Sequence, residues 1–377
     1  MVVSRSLLFV GLVALVGAFA FLILLTGGGE GETIMVDPDG EGDFSRIQDA
    51  IDNASVGDII RIGIGVYREN LSIETDLWLV GEHAEGSQVR GRVTLTDASG
   101  GTVRDLTITE KLTVEDSHDI RILGCRTPSI IITSSSNCRI VGNRGYGSGT
   151  EFSNLEITLI DRHHLGETTG NQVLDNECAY IGIIYADGNY IVNNSCSNSV
   201  WVGIYLDHAS HNEIALNRCE NNAVYGIYMD SYSRYNRIVQ NDCYDNLGTG
   251  IYLYYCWYNE ILENDCARNG EDGIHLDVAT ANLVAFNICR DNGRYGINVL
   301  YYRNDDRDEN GNILRRNSMW NNRKGLNEDV ENSLWGDYTS FECMMCYILT
   351  FGTLIPVGLI LRLQYRRERI EKRGGGQ

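Results

Sequence analysis

Proline is almost missing from this chain, with three residues in 377. That excludes collagen-like and Pro-rich linker architectures, although glycine is plentiful at 41 residues. Basic residues are scarce as well, 31 Lys+Arg against 51 Asp+Glu, for a net charge of −20. A general nucleic-acid binder needs a basic face, so nucleic acid is excluded as a partner. The 11 cysteines are odd in number and far too dilute for a small disulfide scaffold. At 43% hydrophobic and 22% charged, the chain is too apolar to be disordered throughout and long enough for a large core.

Long apolar runs occur only near the two ends. Leu7–Leu25 is an unbroken run of 19 apolar residues, long enough to span a bilayer, with Arg5 before it and Gly27-Gly28-Gly29-Glu30 after it. Residues 1–26 read as a transmembrane anchor or a signal peptide. Ala18-Phe19-Ala20 has the small-x-small form of a cleavage site, but the run is longer than a usual signal-peptide apolar region, which favours the anchor. A second run, 343–361, contains Pro356 and is followed by a basic tail, 362–377, with Arg362, Arg366, Arg367, Arg369, Lys372 and Arg373. Basic residues after a span mark the cytoplasmic side. The expectation is a cell-membrane protein with both termini cytoplasmic and the residues between the spans extracytoplasmic. With the seven basic and two acidic residues of the flanks set aside, 24 basic and 49 acidic residues remain outside, a net charge of −25. Such an exterior suits divalent cations or high ionic strength, or is simply solubilising.

Between the spans the sequence repeats. Gly-Ile steps fall at Gly203, Gly226, Gly250, Gly273 and Gly296, spaced 23, 24, 23 and 23. One asparagine file runs Asn189, Asn212, Asn236, Asn259, Asn282 and Asn312, and a second follows five residues later at Asn194, Asn217, Asn241, Asn264, Asn287 and Asn317. Cysteine sits two places beyond at Cys196, Cys219, Cys243, Cys266 and Cys289, with Cys178 as an earlier member. Each copy holds short alternating stretches and no helical periodicity, so it reads as strands only. A unit of this size cannot bury its apolar face alone and must stack on its neighbours. The fold class is therefore all-β, a parallel β-helix (β-solenoid) over residues 33–340, on the order of ten to twelve coils, flanked by N- and C-terminal transmembrane helices. Ser45-Arg46-Ile47-Gln48 has the form of a capping box, and Ile47, Ala50, Ile51 and Ala54 share a helical face, so 44–54 reads as an amphipathic helix capping the N-terminal end. Trp320 and the segment 332–338 are the expected closure of the last coil.

The stretch Asp39-Gly40-Glu41-Gly42-Asp43-Phe44 through Ile51, with Gly65-Val66-Tyr67-Arg68-Glu69-Asn70, resembles the opening of pectin methylesterases and related pectin-lyase-like right-handed parallel β-helices. The Asn-x-Ile coils and the ending Trp335-Gly336-Asp337-Tyr338 are similar to the NosD-like β-helix repeats of archaeal-type surface proteins. The resemblance implies fold rather than activity. No Gln-Asp-Thr-Leu or Asp-Phe-Ile-Phe-Gly segment supplies the pectin methylesterase chemistry, so no catalytic residue carries over from that family.

Strand alternation turns Ile204, Ile227, Ile251, Ile274 and Ile297 inward with Leu206, Met229, Leu253, Leu276 and Val299. Two files then face out: Tyr205, Tyr228, Tyr252, His275 and Asn298, and beside them Asp207, Asp230, Tyr254, Asp277 and Leu300. Aromatic faces aligned with carboxylates at one coil spacing, about 4.8 Å, suit a sugar polymer, which stacks its C–H faces and hydrogen-bonds its hydroxyls. The expected ligand-binding residues are Tyr205, Tyr228, Tyr252, Asp207, Asp230 and Asp277; the alternative is that aromatic ladders merely stabilise the sheet. Adjacent Asp207 and Asp230 repel, so one carboxyl pKa rises or a cation such as Ca²⁺ bridges them. Catalysis, if present, falls to Asp207, His208, His211 and His275. The cysteine file reads as core, since stacked parallel neighbours rarely have disulfide geometry. Cys343-Met344-Met345-Cys346 has soft-ligand chemistry for copper, in line with the copper label of NosD relatives, or it fills the membrane. The expected function is a membrane-anchored module binding carbohydrate or another cell-surface component. A uronate lyase, epimerase or glycan hydrolase is the alternative, and a non-binding envelope scaffold the third.

Overall fold

The computed structural model describes residues 31–146, 155–300 and 311–328. The two apolar runs, the basic tail, Cys343, Cys346 and Trp335 lie outside the described residues. Among the described residues no helix is long and apolar enough to cross a membrane.

Short strands stack into a parallel solenoid with three faces, here A, B and C in the order each coil visits them. Face A is a 13-stranded sheet running from Thr33–Val36 to Ile313–Arg315, and face C has 12 strands from Leu71–Ile73 to Lys324–Glu328. Face B is split into three strands, ending at Thr107–Ile108, and seven, beginning at Glu177–Cys178. The repeats stack residue on residue: Ile204 pairs with Ile227, Ile214 with Ile238, and Cys219 with Cys243. The ten aliphatic residues assigned inward are all fully buried. So is the cysteine file from Cys178 to Cys289, in continuous register, and its thiols are free. Cys125, Cys138 and Cys256 join the core as well.

Asparagine ladders hold the corners. Asn217 sends both its backbone N–H (2.9 Å) and its Nδ2 (3.0 Å) to Asn241 Oδ1, and Asn241 repeats the pattern onto Asn264 (2.9 and 3.0 Å). A third file accompanies the two read from the sequence: Asn222, Asn246, Asn269 and Asn292, leading to Asn322. It lies five residues beyond the second file, so the same spacing, applied once more, marks it. These amides satisfy backbone groups that would otherwise be stranded at buried bends.

The bends themselves use few glycines. The residue before each second-file asparagine is left-handed whatever its type: Asn193, Leu216, Gln240, Glu263 and Phe286 have φ between 54° and 59°. Each costs on the order of 1–2 kcal/mol, which the ladder bonds offset. The Gly-Ile glycines serve another purpose. A Cβ on Gly250 would meet Gly273 O at 2.7 Å, Asn269 Nδ2 at 2.8 Å and Cys266 Cβ at 3.2 Å. Glycine is required there for close approach between coils, not for turning.

The N-terminal helix is shorter than expected, Ile47–Asn53, and buries Ile47, Ala50 and Ile51 over the first coil. Its start is not a capping box, because Arg46 occupies the cap position and makes no side-chain cap. Glu69 of the next coil does the work instead, accepting Ile47 N–H at 2.8 Å and Gln48 N–H at 3.1 Å. Gln48 is drawn away to Ser72, whose N–H it accepts at 2.9 Å. Trp320 lies in the last strand of face B, paired with Arg290 and about half exposed, and the segment 332–338 lies outside the described residues.

Candidate functional site

The outward file of face C is built by register. Tyr205 pairs with Tyr228, Tyr228 with Tyr252, and Tyr252 with His275. Ring centroids stand 5.4 Å apart at both Tyr–Tyr steps. The file widens into a cluster the sequence pattern did not reveal: Trp201 lies 4.9 Å from Tyr205, Tyr225 lies 4.8 Å from Tyr252, and Tyr180 lies 6.5 Å from Trp201. Tyr225 precedes a Gly-Ile step, which is the signal that marks it. Burial first, then the carboxylates beside them, push the phenol pKa values of Tyr205, Tyr228 and Tyr252 well above the ordinary range. These groups therefore stay neutral donors: Tyr228 donates to Asp230 at 2.8 Å and Tyr252 to Asp277 at 2.9 Å.

Asp207 and Asp230 are adjacent in register as expected. Each carboxylate has a hydrogen-bond partner of its own. Asp207 takes the His208 ring at 2.7 Å, while Asp230 accepts Tyr228 and the Ser231 N–H at 2.6 Å. Asp277, two coils beyond Asp230, is held by Tyr252.

The last two members of the outward file turn in. His275 is 9% exposed and Asn298 fully buried, because both close on buried Asp272. Asp272 lies 3.1 Å from His275 Nδ1 and accepts Asn298 Nδ2 at 2.8 Å and Tyr295 N–H at 2.9 Å. Burial opposes ionisation of Asp272, but these bonds outweigh it and hold the carboxyl below its usual range. His275 is thus a structural partner on a strand three coils from Tyr205, and the fold does not assemble Asp207, His208, His211 and His275 into one centre.

His208 and His211 sit on the bend from face C to face A, both left-handed. His208 stacks between Tyr185 (4.7 Å) and Tyr232 (5.8 Å), in a stripe that runs from His164 to Trp257. His211 begins a second stripe through Tyr235 (5.2 Å) to Tyr258 (5.4 Å). Beside it, Asp187 accepts Ser210 N–H at 2.6 Å, and Arg234 lies 5.9 Å from the Tyr235 ring centre. Burial raises the Asp187 carboxyl pKa, and the Ser210 N–H, then the nearby His211 and Arg234 on the following coils, act against that rise. Sequence reasoning named His211 and missed Asp187 and Arg234, which lie in bends of variable composition.

Coil stacking, three faces and in-register ladders define a parallel β-helix of the pectin-lyase-like type, and residues 232–334 match the family model described as right handed beta helix region. The chain belongs to the family described as periplasmic copper-binding protein (NosD), whose model matches residues 51–247, more than half of the sequence. No curated protein matches it. Solved structures of similar fold include the A-module of Azotobacter vinelandii mannuronan C-5 epimerase AlgE4, at 14% identity and TM-score 0.55, covering 81% of this chain and 97% of that one. The Streptococcus pneumoniae surface protein and adhesin PfbA has 12% identity and TM-score 0.51 over 74% and 95% of the two chains. The catalytic domain of a GH87 alpha-1,3-glucanase in complex with nigerose has 12% identity and TM-score 0.54 over 79% and 66%. Identity this low speaks for the fold alone.

The family label raises copper, and the donor set can be tested against it. Burial pushes the thiols of Cys196, Cys243 and Cys266 well up, which disfavours the thiolate that a metal ligand needs, whereas Cys219 is raised by burial but drawn down further by its hydrogen bonds with Cys196 and Cys243. Among the described residues no group of three or more His, Cys, Asp or Glu could hold a metal ion. The described residues do not fit a copper centre, and Cys343 and Cys346 lie outside them.

Proposed function

We propose that this chain is an extracytoplasmic β-helix, held at the membrane by its terminal apolar runs, that binds a carbohydrate chain or related surface polymer along face C. The observation that carries this reading is the half-buried file Tyr205–Tyr228–Tyr252, one ring per coil at 5.4 Å, with carboxylates beside it. Rings repeating at the coil spacing offer a platform for each unit of a polymer, and the neighbouring carboxylates orient its hydroxyls. The epimerase and glucanase relatives act on polysaccharide by their titles, and the periplasmic family label agrees with an extracytoplasmic site. The test is a polysaccharide array probed with the purified chain, with and without Ca²⁺. Binding abolished by Tyr205→Ala with Tyr228→Ala, and no product formed, supports the module. Binding that ignores both tyrosines refutes it, and silence on every glycan leaves a scaffold.

A second reading is favoured by Asp187, His211 and Arg234. A carboxyl with a raised pKa, an imidazole and a guanidinium on adjoining coils supply an acid, a base and a charge clamp, the set needed for attack at a uronate or glycosidic centre. Turnover that is lost in His211→Ala and Asp187→Asn and kept in His208→Ala would make the chain an enzyme acting at that bend. Turnover lost only in His208→Ala would move the chemistry to the Asp207 pair.

A further inference from the structure

Face A shows an aliphatic file to solvent. In its short strands the middle residue points into the core and the residues on either side of it point out. One of the two outward files is aliphatic over eight consecutive coils, in unbroken register from Leu123 to Ala285, and its leucines and valines are half-buried. Outward positions on the other faces differ, with Arg218 and Glu220 on face B and Tyr205 and Asp207 on face C. At about 4.8 Å per coil the aliphatic stripe is about 34 Å long. Strands apolar on both sides are the pattern of a parallel sheet covered on both sides, and a continuous apolar tract on a chain of net charge −20 marks a contact surface.

The second outward file of the same face shows what fits there. Arg121 and Arg139 stack in register, and among the described residues neither makes an ion pair. Like charges directly opposite in a ladder are unfavourable, and carboxylates from another body would relieve them. Further along the file Glu213, Arg237 and Glu260 stack, one guanidinium shared between two carboxylates at 3.2 and 3.1 Å, so the trio is net negative. Gln172 and Tyr190 lie between the two groups, and Tyr190 is three coils from Arg121 and three from Glu260. The face thus has a basic end and an acidic end about a central coil, the layout of a self-complementary surface.

We propose that face A is the interface of a homodimer, in which two copies meet about a two-fold axis parallel to the strands at the coil of Tyr190 and Val192. That axis runs the two solenoids in opposite directions and lays each outward file on its own copy inverted. Aliphatic side chains then meet aliphatic side chains, and Arg121 and Arg139 of one copy lie over the Glu213–Arg237–Glu260 trio of the other. A two-fold along the solenoid would instead set the aliphatic file against the charged one. Face C stays open in such a dimer, which does not depend on the carbohydrate reading. The experiment is sedimentation equilibrium of the full chain in density-matched detergent. The expected result is a monomer–dimer equilibrium whose Kd rises on the order of a hundredfold in Val192→Glu, where two carboxylates meet at the axis, and at least tenfold in Arg139→Glu. Both side chains stand outside the core, so neither change removes a core contact. Ser195→Glu puts the same charge on face B of the same coil and should associate as the parent does. A monomer at every concentration, a dimer unmoved by Val192→Glu, or equal weakening by Ser195→Glu overturns the interface. Weakening by Val192→Glu with none by Arg139→Glu overturns the antiparallel arrangement.

Discussion

Replacing Asn241 by alanine tests whether the corner ladders carry the solenoid. Asn241 is fully buried and serves four hydrogen bonds through its side chain. Its Nδ2 donates to Ile214 O (2.8 Å) and Asn264 Oδ1 (3.0 Å), while its Oδ1 accepts Asn217 N–H (2.9 Å) and Asn217 Nδ2 (3.0 Å). After truncation Asn217 Nδ2 keeps Ile191 O and Asn264 Oδ1 keeps the Asn241 N–H, but the Asn217 backbone N–H is stranded. A stranded buried donor costs about 1–3 kcal/mol and each lost bond about 0.5–1.5 kcal/mol. The expected loss is about 3–5 kcal/mol, read as a shift in the urea midpoint at constant slope. Gln240→Ala is the control. It alters the neighbouring left-handed position, whose half-exposed side chain donates to Glu263 at 2.6 Å, and should move stability by roughly 0.5 kcal/mol or less. Hydrogen exchange at the Asn217 amide localises the effect, since a solenoid couples mainly nearest coils. A loss under about 1 kcal/mol in Asn241→Ala, equal to the control, would refute the ladder reasoning.

Three further outcomes follow from the same structure. Gly250→Ala, a substitution that usually stabilises an extended strand, should instead destabilise by about 1–3 kcal/mol in thermal melts, because its Cβ is driven against Gly273 O and Asn269 Nδ2. Glu69→Ala removes the remote cap of the helix Ile47–Asn53 and should cost about 1–2 kcal/mol, with part restored by Gln, which still accepts. Tyr67 is buried, and its phenol is pushed up to about 12 from 10.0 by burial first and then by Asp37, Glu69 and Asp39. The folded state therefore keeps a proton that the unfolded chain releases. Its stabilising share, on the order of 2–3 kcal/mol, is present below pH 10 and is lost as pH rises through about 12. Tyr67→Phe should flatten the alkaline limb of a stability–pH curve, and an unchanged slope would contradict the assignment.

What the sequence made legible was the periodic part. The 23-residue register fixes which isoleucines, cysteines and asparagines stack, since a one-residue slip would expose every apolar side chain at once. Features that depend on a partner from another coil were hidden. Glu69 caps a helix more than twenty residues upstream, and Ser-x-x-Gln therefore misled. His275 occupies an outward position by alternation, yet the buried Asp272 draws it in. Left-handed bends at Leu216 or Phe286 carry no compositional mark, because the ladder bonds impose the conformation. Of the expected site, Tyr205, Tyr228 and Tyr252 lie in one file beside Asp207, Asp230 and Asp277, whereas Trp201 beside that file, and Asp187 and Arg234 at the bend by His211, are placed only by the stacking of coils.

The most direct measurement is the affinity of the full chain for oligosaccharides of increasing length, drawn from whichever polymer the array selects. If face C is the binding track, affinity rises unit by unit until the ligand spans the coils of Tyr205, Tyr228 and Tyr252. Tyr228→Ala, at the centre, then removes about 2 kcal/mol or more and flattens that dependence. Affinity set by a single unit, independent of length and unmoved by Tyr228→Ala, would contradict it.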